Sequence, residues 1–124
     1  MHSVFAVERD KHVRALLREF LDPGVYTLDF FDDGVSALAA VRTKPPDLVI
    51  LEILVPKLDG LGLCRAIKST APPPTTPVLV LSILSASDRA KLAGADAFML
   101  KPIERSRLLG TVEKLLASPG EQPS

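Results

Sequence analysis

Apolar residues recur along this chain in two alternating rhythms. Val4-Phe5-Ala6-Val7 is an unbroken apolar run, too short for an amphipathic helix and the right length for a buried strand. Val13, Leu16, Leu17, Phe20 and Leu21 then recur at intervals of three and four. They mark one face of a helix that Asp10 is placed to cap and Asp22-Pro23-Gly24 to end. Tyr26–Phe31, with Thr and aromatic side chains suited to a pleated surface, predicts a second strand. Asp33-Gly34 turns the chain into a small-residue helix over 35–41, and Pro45-Pro46 stops it.

Leu48–Leu51 is apolar on both faces, which places it centrally in a parallel sheet. After Asp59-Gly60, Leu61, Cys64 and Ile67 form another helical stripe. Residues 71–77, with Pro72-Pro73-Pro74, read as a stiff surface loop. A fourth strand follows at 78–81, a short helix at 85–92 and a fifth strand at Ala97–Leu100. The last helix starts near Glu104 and carries Leu108, Leu109, Val112, Leu115 and Leu116 on one face. Residues 118–124, rich in Pro, Gly and Ser, read as a frayed tail or the start of a linker, so the folded domain is expected over 1–117.

Repeated strand-helix units predict an α/β domain, a parallel sheet with helices on both faces. In such sheets the functional crevice lies beyond the carboxyl ends of the strands, where the strand order reverses. The residues just past each strand are therefore the candidates: Glu8, Arg9, Glu52, Ser82, Lys101 and Pro102.

Composition narrows the chemistry. Fifteen basic residues balance fifteen acidic ones, so no global field favours nucleic acid or an anionic membrane. Lys11, Arg14 and Arg18 share a helix, but Glu19 and the neutral total argue against DNA binding. With six aromatic residues and no Trp, a base-stacking surface is not expected. Cys64 is the single cysteine and sits on an apolar stripe, which excludes an internal disulfide and a Cys-based zinc site. His2 and His12 have no acidic or Cys neighbours at ligand spacing. There is no membrane-length apolar run, signal pattern, P-loop, GxGxxG or nucleophile-base pair. A cytoplasmic, non-enzymatic domain is the expectation.

The "EILVPKLDG" turn, "VLVLS", "AGADAFMLKP" and the Asp33-Gly34 turn resemble, in order and spacing, the receiver domain of two-component response regulators. The likeness runs from Val4 to about Leu116. It implies a flavodoxin-like (βα)5 doubly wound sandwich with a five-stranded parallel sheet in the order 2-1-3-4-5. The family's chemistry is phosphoryl transfer to an aspartate at the end of the third strand, assisted by Mg²⁺ held between that acceptor and an acidic pair after the first strand. By this resemblance Lys101 is the lysine that pairs with the phosphoryl group and Ser82 the hydroxyl that reorients toward it. Phe98 is the switch aromatic, and Pro102 follows the usual cis peptide. The resemblance also implies signalling partners that engage the face of the fourth helix, fifth strand and fifth helix, a face compatible with a homodimer.

Two residues depart from that pattern at the chemistry itself. Arg9 stands where the family places a metal ligand, and a guanidinium has five donors and no acceptor. Glu52 stands at the acceptor position, its carboxylate roughly a bond length further out than an aspartate's. Glu8 and Glu52 against Arg9 and Lys101 sum to zero, so the Mg²⁺ site is expected to be lost and both cations to bond Glu52. Glu52 is then a built-in mimic of the phosphorylated state or a structural pair, which sequence does not separate. The alternative is a working phosphoacceptor at Glu52. A third departure is the run from Ser82 to Gly94, about one helical turn (roughly four residues) short of the family's length. The expected function is an atypical, phosphorylation-independent protein-interaction module in signal transduction.

Overall fold

In the computed structural model, residues 1–69 and 75–117 are described. The order of elements is β1 (His2–Val7), α1 (Lys11–Phe20), β2 (Tyr26–Phe31), α2 (Gly34–Thr43) and β3 (Leu48–Leu51). These are followed by α3 (Gly60–Lys68), β4 (Val78–Ser82), α4 (Ser87–Leu92), β5 (Ala97–Leu100) and α5 (Arg105–Leu116). All strands pair in parallel in the order β2-β1-β3-β4-β5, as expected.

Side-chain alternation along the central strands divides the interior into two cores. Val49 and Leu51 of β3 with Val78 and Val80 of β4 face α2, α3 and α4, packing with Ala37, Val41, Leu63, Cys64, Ile67 and Ala90. Leu48, Ile50, Leu79 and Leu81 face the other way, toward Val13 and Leu17 of α1 and Leu108 and Val112 of α5. Every residue of β3 and β4 is buried, because helices cover both faces of the sheet.

The helix starts follow from the capping residues. Asp10, Asp33 and Asp59 each accept a backbone N–H from the first turn of α1, α2 and α3, and Glu104 does the same for α5. α4 differs. It begins at Ser87 rather than 85, has six residues, and its N-terminus has no side-chain cap. Within α3 the buried face is Leu63, Cys64 and Ile67, with Leu61 only half-buried. Of the expected 71–77 loop, residues 75–77 lack regular structure, while 71–74 and the 118–124 tail lie outside the described residues.

Candidate functional site

The strand ends converge as the doubly wound order requires. Each ladder continues one residue past its strand, since Glu8 N–H donates to Phe31 C=O (3.1 Å), Glu52 N–H to Val7 C=O (3.0 Å) and Lys101 N–H to Ser82 C=O (2.9 Å). These bonds fix the backbone under Glu8, Glu52, Ser82 and Lys101. The side chains meet at the bottom of an open hollow of about 370 Å³ lined by Glu8, Arg9, Asp10, Glu52, Leu54, Ile83 and Lys101.

Glu52 is the centre of the network. One carboxylate oxygen, Oε2, accepts from Ile53 N–H (2.6 Å), Leu54 N–H (3.3 Å) and the Ser82 hydroxyl in a short contact. The other, Oε1, accepts from Lys101 Nζ (2.8 Å) and Ile83 N–H (3.2 Å). Lys101 reaches a second acid, Glu8 Oε1, at 2.6 Å, so one ammonium bridges two buried carboxylates. Burial pushes the Glu52 carboxyl up, but Lys101, Ser82 and the Leu54 amide outweigh it and hold it below its ordinary value. Burial works against the Lys101 ammonium too, and Glu52 and Glu8 overcome it, leaving that pKa raised.

Arg9 does not bond Glu52. It is exposed at the mouth of the hollow, and among the described residues no hydrogen bond or ion pair of its side chain is found. Both Glu52 oxygens are already occupied by nearer donors. The neutral count is corrected as well: Asp10 lines the same hollow, giving three carboxylates against two cations. Asp10 is adjacent in sequence to the candidates, but its cap role hid it; its Oδ1 accepts from His12 and Val13 N–H. The backbone amides of Ile53, Leu54 and Ile83 were also missed, since no side-chain pattern reveals them.

These acids do not form a cage for a divalent ion. Both oxygens of Glu8 are engaged, Oε1 by Lys101 and Oε2 by Asp10 N–H (3.1 Å), and Arg9 offers no acceptor. Among the described residues, no group of three or more His, Cys, Asp or Glu is arranged to hold a metal. Elsewhere, Phe98 is half-buried and packs against the core that contains Ala86 and Ala90, and Lys101-Pro102 is a cis peptide bond. Arg14 and Arg18 stack over Phe30 at 4.9 and 4.7 Å, and Arg14 also pairs with Asp32 at 2.5 Å, so two of the helix's three basic residues have structural work. No helix among the described residues is long and apolar enough to cross a membrane.

A sheet in the order 2-1-3-4-5 with an acid, a hydroxyl and a lysine at the ends of β3, β4 and β5 defines a receiver-type signalling domain. The chain belongs to the response regulator receiver domain family, whose profile matches residues 4–113. It is 39% identical over 125 aligned positions to "Response regulator MprA" of Mycobacterium sp. (strain KMS), covering 97% of this chain and 54% of that protein. The chain thus spans about half the length of the curated relatives it matches. A putative response regulator from Chloroflexus aurantiacus superposes with a TM-score of 0.87 at 29% identity, over 94% of this chain and 98% of that one. The receiver domain of a signal transduction histidine kinase from Syntrophus aciditrophicus gives 0.86 at 30% identity, over 100% and 96%.

Proposed function

We propose that this receiver domain works as a phosphorylation-independent interaction module in two-component signalling, without Mg²⁺ and without catalysis of its own. The observation that carries this is the occupancy of Glu52. An attacking carboxylate needs a free oxygen facing the hollow, whereas both Glu52 oxygens are held by five donors. The arrangement has Ser82 and Lys101 already drawn onto the carboxylate, where the family would draw them onto a phosphoryl group. Phe98, half-buried against the core that contains Ala86 and Ala90, is compatible with that state. Signalling partners are then met through α4, β5 and α5, where Leu92 and Leu100 stand exposed.

The test is intact mass after incubation with acetyl phosphate and Mg²⁺. The expected result is no phosphoryl adduct and no saturable Mg²⁺ response in an NMR titration. An adduct at Glu52 would establish the alternative, a working acceptor. The double variant Arg9→Asp, Glu52→Asp serves as the positive arm. It restores a metal ligand and the shorter acceptor, and is expected to gain Mg²⁺-dependent phosphoryl uptake.

A further inference from the structure

Arg9 is the charged residue that the hollow leaves unpaired. Lys101 is shared between Glu8 and Glu52, and Asp10 is committed to the α1 cap. The Arg9 side chain lines the same hollow, yet makes no hydrogen bond or ion pair among the described residues, not even with Asp10 beside it in sequence. A guanidinium carries five N–H donors in a planar fork and no acceptor. The lining has three carboxylates against two cations, one net negative charge, but those acids already have their partners. Remaining hydrogen-bond capacity therefore decides what fits. What the mouth lacks is an acceptor, and the planar match for a guanidinium is a carboxylate.

Two aliphatic side chains share the mouth with that guanidinium. Leu54, past β3, is 55% exposed and Ile83, past β4, is 62% exposed, and both line the hollow. One exposed aliphatic residue on its own is ordinary. Two of them beside an unpaired arginine offer apolar burial and a charge in one place. Their backbones are already held, Leu54 N–H on Glu52 Oε2 (3.3 Å) and Ile83 N–H on Glu52 Oε1 (3.2 Å), so little main-chain freedom is lost on binding. The hollow is open, and its volume of about 370 Å³ lies at the lower end of the roughly 300–1,000 Å³ of cavities that enclose a small molecule. It suits side chains reaching in from a larger partner.

We infer that the mouth of this hollow docks an acidic segment of a partner protein, with a carboxylate of that segment on the Arg9 guanidinium and an adjoining apolar side chain against Leu54 and Ile83. This contact surface is additional to the face of α4, β5 and α5. It uses the rim of the hollow rather than the floor, where Glu52 and Lys101 hold each other. It rests on the reading of Glu52 as a fixed partner, because a phosphoryl group arriving there would fill the same space. Arg9 supports no bond of the fold among the described residues, so replacing it tests docking without disturbing the domain.

The test is an NMR titration with two blocked peptides, Leu-Glu-Leu-Glu-Leu and Leu-Gln-Leu-Gln-Leu, which differ only in charge. Amide signals of Arg9, Leu54 and Ile83 are expected to shift and saturate with the Glu peptide, which should bind on the order of tenfold more tightly than the Gln peptide. Arg9→Gln should erase that preference. Lys11→Gln, which removes an equal charge from α1 outside the hollow, should keep it. Leu54→Ala should weaken both peptides. Equal affinity for the two peptides, loss of the preference in Lys11→Gln, or shifts spread along α1 instead of the mouth would overturn the docking site. Inorganic phosphate matching the Glu peptide would reduce the mouth to a general anion site, and tighter binding of an oligouridylate at the same amides would make it a nucleic-acid site; either result overturns the proposal. All titrations are run without a phosphodonor. A phosphoryl adduct, seen in intact mass alone, would refute the reading of Glu52, whereas absent peptide shifts with no adduct would refute the docking by itself.

Discussion

Glu52 and Lys101 are titratable groups held in opposite directions, and together they set how stability responds to pH. Ionised Glu52, held below its ordinary 4.5, stabilises the fold above that value; the contribution is lost as pH falls through the lowered folded value. Lys101, held above its ordinary 10.5, contributes below that value and loses the contribution as pH rises past the raised one. The gap in urea stability between the unaltered protein and Glu52→Gln is therefore expected to be widest near neutrality and to narrow below pH 4.5; a gap constant down to about pH 3 would count against this. The two cations should also separate sharply. Lys101→Ala strands two buried carboxylates and should cost about 3 kcal/mol in chemical denaturation, whereas Arg9→Ala should fall within about 0.5 kcal/mol of the unaltered protein. Sequence located the residues past each strand but not their directions. The β1 ladder runs on to Glu8, which turns inward, and strand alternation then sends Arg9 outward. Tertiary donors decide the rest, and Ile53, Leu54 and Ile83 contribute theirs from the backbone, where residue identity says nothing.

The elements were legible wherever a local rule fixed them. Asp10, Asp33-Gly34 and Asp59-Gly60 mark helix starts because a short carboxylate reaches the amides of the first turn. The start of α4 was not legible: no capping side chain marks Ser87, and the amides before it bond to Glu52 and Ser82, for Ile83 a contact across 31 residues. The Asp33-Gly34 turn also has a packing role that the turn rule does not contain. A Cβ on Gly34 would lie 1.9 Å from the Leu58 carbonyl oxygen, backbone against backbone. Gly34→Ala is thus expected to lower stability by about 3 kcal/mol, at the upper end for overpacking, even though alanine is the better helix former. A midpoint equal to that of the unaltered protein would show that α2 can slide away from the loop without loss.

At the scale of the molecule, periodicity carried the α/β class, because five buried or half-buried strands each precede a helical stripe, while the strand order 2-1-3-4-5 came from the resemblance to the receiver family. The sheet separates two cores that share no side chain, Leu63 lying in one and Leu108 in the other. Leu63→Ala and Leu108→Ala should each cost about 2–5 kcal/mol. Combined, they should add to within about 0.5 kcal/mol, and a larger coupling in a double-mutant cycle would show that the sheet transmits strain between its faces. The pocket is built on a different plan from the cores. Its bonds join residues 93, 49 and 30 positions apart, from Glu8 at the first strand end to Lys101 at the last. Lys101 lies just past β5, so of the pocket's charged residues it is the last along the chain, and the bridge to Glu8 and Glu52 can close only once all five strands exist.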